Sequence, residues 1–128
     1  MKILLDTHTV LWFTEGDVRL SDRAREAIES PDNEPWVSVV SMWEMGIKMS
    51  LGKLDLAMPF NEFIRDNVLG NGITVLGITP EHVSRIASMP FHHRDPFDRL
   101  LIAQAQEDGF QIIGCDPAFA VYGVSLIW

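Results

Sequence analysis

Apolar positions along the chain fall into short runs that alternate with helically spaced stripes. Residues 2–5, KILL, form a run closed by Asp6, and the TVLWFTEG stretch sets Val10, Leu11 and Phe13 at helical spacing ahead of Gly16, which predicts a strand and then a helix. SDRAREAIES opens on a serine cap at Ser21, carries Ala24, Ala27 and Ile28 on one face and stops at Pro31, the pattern of a small surface helix. EPWVSVVS is rich in β-branched residues and predicts a second strand, followed by a helix in SMWEMGIKMSLG begun at Ser41 and ended at Gly52. In PFNEFIRDNVLG, the residues Phe60, Phe63, Ile64 and Val68 make one core-facing stripe. ITVLGI predicts a third strand and TPEHVSRIASM a helix with proline in its first turn. RDPFDRLLIAQAQ follows as a helix with Phe97, Leu100, Leu101 and Ala105 on one side and Gly109 past its end. FQIIGCD, ended by Asp116, and GVSLIW close the series as strands.

Strands alternating with helices at this spacing predict an α/β fold with a parallel sheet covered on both faces. A chain of 128 residues, 47% of them hydrophobic, suits one domain with one core over residues 1–128, and no repeat, low-complexity segment or linker interrupts it. No uninterrupted apolar run reaches the length of a membrane span, and Asp6 falls too early for a signal-peptide core, so the expected setting is the cytoplasm. Cys115, the single cysteine, allows no internal disulfide and no cysteine-based zinc site, and is expected to be a buried, inert thiol.

Charge narrows the function classes. Ten Lys and Arg against eighteen Asp and Glu give a net charge of −8, which repels phosphate backbones at long range and argues against a simple nucleic-acid-binding module. An enzyme that holds nucleic acid through a local basic edge and a metal ion remains compatible with it, because a bound cation reverses the field where it sits.

In an open parallel sheet the working site lies beyond the carboxyl ends of the strands. Asp6 follows the first strand, Asp116 follows QIIGC, and Glu44 sits near the start of the helix after WVSV. Asp98 joins them if its helix N-terminus faces the same edge. The Asp95/Asp98 pair has a plainer reading as well: Asp95 caps the helix, Pro96 occupies its first turn and Asp98 complements the helix dipole. Carboxylates gathered at one edge raise one another's pKa unless something positive sits among them. The sequence shows no obvious lysine or arginine beside Asp6, Glu44 or Asp116, so a hard divalent cation, Mg²⁺ or Mn²⁺, is the natural counter-charge. Such a site suits phosphodiester hydrolysis by an activated water. Nucleophile-elbow and glycine-rich phosphate-loop motifs are absent, and His8 stands where an aspartyl-phosphate phosphatase would carry a second acid.

LLDTHTVLWF, SVVSMWEMGIKMSLGKLDL, PFHHRDPFDRLLIAQAQ and IIGCDPAF occur in order over nearly the whole chain, and together they resemble the PIN-domain ribonucleases, in particular the VapC-type toxins of type II toxin-antitoxin pairs. The resemblance implies a three-layer α/β/α sandwich and a Mg²⁺- or Mn²⁺-dependent endoribonuclease whose catalytic and metal-binding acids are Asp6, Glu44, Asp98 and Asp116. It also implies an RNA substrate, a cognate antitoxin and a homodimer. By the same resemblance Asp98 is the functional acid and Asp95 the cap that supports it. Gly114 departs from the family pattern, which commonly has Thr or Ser there, and so removes a hydroxyl from that strand end.

Several neighbours stay open between two or three roles. Thr7 and His8 suit contact with phosphate or water, and His8 suits packing equally. His92, His93 and Arg94 suit RNA contact, loop packing or support of the acids. Lys48 and Lys53 suit a basic rim or an ordinary solvated helix face. Trp12, Trp43, Met42, Met45 and Met49 suit the core more than a base-stacking platform, or in part a groove for a partner helix. A DNA-directed nuclease on the same fold and a partner-binding domain without activity are the alternative functions.

Overall fold

A computed structural model describes residues 1–128. Five strands form one all-parallel sheet: β1 (Lys2–Leu5), β2 (Glu34–Ser38), β3 (Thr74–Leu76), β4 (Gln111–Ile113) and β5 (Leu126–Ile127), in the order β3-β2-β1-β4-β5. The helices are α1 (Thr7–Glu15), α2 (Asp22–Glu29), α3 (Val39–Ser50), α4 (Phe60–Phe63), α5 (Pro80–Ser88), α6 (Pro96–Asp108) and α7 (Pro117–Val121).

The layers follow from β1. Its continuous apolar run is what a strand buried on both faces requires. Ile3 and Leu5 enter one core with Val10, Ala24, Ile28, Met45, Phe63 and Val68, whereas Leu4 points into the other with Leu101, Ile102, Ala105 and Phe119. One layer is therefore built on α1, α2 and the α4 segment and the other on α6 and α7, giving the expected α/β/α sandwich. The chain steps outward from β1 to β2 and β3, then returns to the other side of β1 for β4 and β5. The crevice at that reversal, between the ends of β1 and β4, is where an open α/β sheet binds its ligands.

Three local readings change. The second strand ends at Ser38 and α3 starts at Val39, because the Ser38 hydroxyl accepts the Val40 N–H at 3.0 Å and closes a helical turn over two valines that read as strand. Ser41, expected to begin that helix, lies buried inside it. The PFNEFIRDNVLG stripe does pack on the core, but α4 passes into a π turn at Ile64–Val68 and a 3-10 turn at Leu69–Asn71. Cys115 is exposed, since β4 ends at Ile113 and leaves the residue on the following loop. Desolvation, and then the negative charge of Asp6 and Asp116, push its thiol pKa up, which favours the unreactive protonated form. α7 went unread in the sequence although Asp116 caps it by accepting the Ala118 N–H at 2.9 Å and Pro117 occupies its first position.

Candidate metal centre

β1 delivers Asp6 to the crevice. Its backbone N–H donates to the Ile113 carbonyl at 3.1 Å, extending the ladder with β4, and its Oδ1 accepts the Thr7 N–H at 2.8 Å at the start of α1. The Thr9 hydroxyl donates to the same Ile113 carbonyl at 2.7 Å and ties α1 to β4. Asp6 is 8% exposed, deep burial for a carboxylate.

Gly114 explains how Asp6 fits there. A Cβ at position 114 would stand 3.2 Å from Asp6 Cβ and 3.6 Å from its Oδ2, so the missing side chain gives the carboxylate its room beside β4. The departure from Thr or Ser thus removes a hydroxyl and opens space in one step.

Glu44 is held from α1. The Thr7 hydroxyl donates to Glu44 Oε1 at 2.8 Å and lies 3.0 Å from Ser41 Oγ, one turn earlier on the same face of α3. Glu44 Oε2 meets Lys48 Nζ at 2.8 Å. That pair corrects the expectation that no cation stands beside these acids: four residues along a helix bring two side chains onto one face, and Lys48 is Glu44's i,i+4 neighbour.

α6 brings Asp98 to the same edge. Asp95 caps α6 as expected, its Oδ1 accepting the Phe97 and Asp98 N–H groups at 2.8 and 3.3 Å. Phe97 packs edge-on against Trp43 of α3, with ring centroids 5.1 Å apart, so the first turn of α6 sits beside the helix that carries Glu44. His93 Nε2 lies 2.9 Å from Asp98 Oδ2.

The electrostatics show which acids feel one another. Burial, and then the charges of Asp98, Glu44 and Asp116, push the Asp6 pKa from its usual 3.8 up to about 7, against the lowering pull of the Thr7 N–H. Burial, and then Asp95, push Asp98 up to about 6, with Asp116 adding to the rise and the His93 hydrogen bond opposing it. Neighbouring carboxylates therefore suppress ionisation of Asp6, and Lys48 and His93 are the positive or potentially positive side chains in contact with the group. The donor set is oxygen-rich, as a hard divalent cation prefers. The one group of three ligand atoms within 4.8 Å of one another is His93, Asp95 and Asp98, at the α6 end and with one nitrogen donor; Asp6, Glu44 and Asp116 stand around it at longer range.

The side chains that read ambiguously separate here. His93 supports Asp98, while His92 packs edge-on against Tyr122 at 5.1 Å and donates its N–H to the Tyr122 hydroxyl at 3.0 Å. Arg94 is exposed. Met45 is fully buried, Met42 and Met49 pack against the same core, and Trp43 is exposed but for its contact with Phe97. The Thr7–Glu44 bond escaped sequence reasoning, whereas the His93–Asp98 bond selects one of the three roles open to His93. Ser41 and Glu44 at helical spacing were the available signal for the Thr7 bond.

Comparison with known proteins agrees with this architecture. The chain is 31% identical over 115 residues to Ribonuclease VapC22 of Mycobacterium tuberculosis, an alignment covering 89% of this chain and 86% of that protein. Its fold is similar to a chain in the DNA-bound VapBC2 structure from Rickettsia felis, with a TM-score of 0.72 at 10% identity over 98% of this chain and 97% of that one. A chain in the DNA-bound VapBC structure from Salmonella typhimurium gives a TM-score of 0.69 at 14% identity over 98% and 96%. The PIN domain family matches residues 3–124, and with β1 carrying Asp6 into the crevice between the ends of β1 and β4, the chain belongs to that family.

Proposed function

We propose that the protein is an endoribonuclease dependent on Mg²⁺ or Mn²⁺, acting in the cytoplasm as the toxin of a toxin-antitoxin pair. The observation that carries the proposal is Asp6, a buried carboxylate at the sheet's reversal point whose ionisation is opposed by burial and by Asp98, Glu44 and Asp116. Such a concentration of negative charge destabilises a fold unless a cation joins it. The similarity to a protein named a ribonuclease supports RNA as the substrate, and the similarity to toxin-antitoxin complexes supports an antitoxin partner. No helix is long and apolar enough to cross a membrane.

Asp6, Glu44 and Asp98 would hold the cation, with Asp116 completing the set from the β4 side. When bound, such an ion supplies Lewis acidity toward a phosphate oxygen and lowers the pKa of water to make a nucleophile. The chain's own residues do the positioning. Thr7 and Ser41 orient Glu44, His93 and Asp95 orient Asp98 and its helix, and Gly114 leaves room for Asp6. Lys48 balances Glu44.

The test is cleavage of a mixed structured RNA pool by purified, antitoxin-free protein with Mn²⁺, with EDTA, and with Asp98→Asn replacing the parent. Cutting that requires Mn²⁺ and is lost in the variant supports the reading, and Mn²⁺ at a hundredfold excess over its dissociation constant should stabilise the parent by about 2.7 kcal/mol. Intact RNA alongside cut DNA would move the substrate to DNA. Intact RNA and DNA with no thermal shift over a wide Mn²⁺ range would sink the enzyme reading.

A further inference from the structure

The chain has three lysines, Lys2, Lys48 and Lys53, and two of them converge on one groove. α1 contributes His8 and Trp12 to it, α3 and the turn after it contribute Lys48 and Lys53, and Arg19 joins from the segment after α1. Three cations thus line it beside Glu15: Arg19 is paired with Asp17 at 2.7 Å and Lys48 with Glu44 at 2.8 Å, which leaves Lys53 as the lysine without a carboxylate partner. The helix stop makes this possible: Gly52 adopts φ +70°, and the Lys53 N–H turns back to donate to the Lys48 carbonyl at 2.8 Å. At its inner end the groove meets the acids, since Lys48 Nζ reaches Glu44.

The lining also has planar surfaces. Trp12 is tilted against His8 with centroids 5.6 Å apart, and the Arg19 guanidinium lies 4.9 Å from the Trp12 ring centre. Aromatic rings and guanidinium planes are the surfaces on which unpaired bases stack. At about 220 Å³ the groove is below the size of a small-molecule pocket and suits one unit of a longer chain lying across it. Five of its eight lining residues are polar or charged, which favours a nucleic-acid strand over an apolar helix.

We infer that this groove seats the single-stranded RNA flanking the scissile phosphate, with Lys48 and Lys53 on backbone phosphate and an unpaired base stacked on Trp12 beside His8. The inference rests on the ribonuclease reading and deepens it. Lys48 couples the two regions: its ammonium balances Glu44 in the metal-free chain and turns to phosphate once the acids hold a cation.

The experiment is an anisotropy titration of a labelled, mixed-sequence single-stranded RNA 12-mer in Mn²⁺, with Asp98→Asn as the common background so that the oligonucleotide survives. Lys53→Gln should weaken binding by a similar factor for every sequence and reduce the slope of log affinity against log salt by about one. Trp12→Leu should weaken binding about fivefold or more, and that loss should vanish on an abasic oligonucleotide of the same length. Trp12→Phe should restore most of the affinity, which separates stacking from any effect on the partly buried ring's packing. Arg65→Gln, an exposed cation far along the chain and paired with Asp66, serves as the control. RNA affinities for Lys53→Gln and Trp12→Leu equal to that of the control would overturn the inference. So would unchanged RNA affinity with weakened antitoxin binding, which would make the groove a protein seat. Expected binding losses in a chain whose unsubstituted form leaves RNA intact would retain the groove and reject the nuclease, whereas cutting with unaffected binding would do the reverse.

Discussion

Helix α6 carries a histidine–aspartate pair at each end, and the two pairs have opposite surroundings. At the C-terminal end His82 Nε2 lies 2.7 Å from Asp108 Oδ2, while Nδ1 accepts the Thr79 N–H at 3.0 Å. His82 is fully buried, with both ring nitrogens engaged, and the backbone donor on Nδ1 assigns the proton to Nε2. One imidazole answers one carboxylate, and the pair ties α5 to α6. At the N-terminal end His93 meets Asp98 in the same way at 2.9 Å, yet Asp98 is still pushed up to about 6 by burial and by Asp95, and Asp6 beyond it to about 7. The difference is the number of carboxylates per positive partner. A satisfied pair, here a buried imidazole on a solvent-facing carboxylate, is structural, while an excess of charge held in place by the fold marks a candidate site.

The comparison breaks most visibly on activity. Asp6→Asn should reduce RNA cleavage by at least about a hundredfold, since loss of even a supporting group at such sites costs ten- to a hundredfold. His82→Leu should leave the activity of the folded fraction unchanged, and rates normalised to folded protein would show the contrast. A large loss in both variants would show that the two ends of α6 are coupled.

Stability against pH sharpens it next. Because the folded Asp6 and Asp98 have pKa values above the usual carboxylate value, the folded chain binds more protons than the unfolded chain between about pH 4 and pH 7. Stability in EDTA should therefore fall as pH rises through that window, by an amount on the order of a few kcal/mol. Asp6→Asn keeps an N-cap side chain, since asparagine caps as well as aspartate. It should flatten the profile and raise the melting temperature at pH 8 but not at pH 4. An equally steep profile in the variant would contradict the charge argument.

The smaller effects concern the partners. His82→Leu should cost about 2 kcal/mol by removing the hydrogen bonds of a buried imidazole to Asp108 and Thr79, read from denaturant unfolding. His93→Leu should lower Mn²⁺ affinity about tenfold, as loss of a ligand-orienting group does, with little change in metal-free melting. Calorimetric titration would measure it, and unchanged affinity would reduce His93 to loop packing.

Much of this protein was determined by the sequence alone. The KILL run, the helical stripes and the caps Ser21, Thr79 and Asp95 specify the elements because they act over a few residues, and their alternation yields a parallel sheet. The same alternation places Asp6 at a strand end, while Asp116, expected to end β4, stands three residues past it and caps α7. Tertiary structure decided the rest. Ser38 rather than Ser41 capped α3, because a β-branched pair suits strand and helix alike until a hydroxyl bonds the next turn. Thr7 met Glu44 across 37 residues and His82 met Asp108 across 26, contacts that local periodicity does not encode. The order β3-β2-β1-β4-β5 set the reversal point beside Asp6, and with it the charge environment that raises its pKa. Burial and field depend on what packs around a group from the whole chain, so the sequence singled out the acids while the fold set their burial and charge environment.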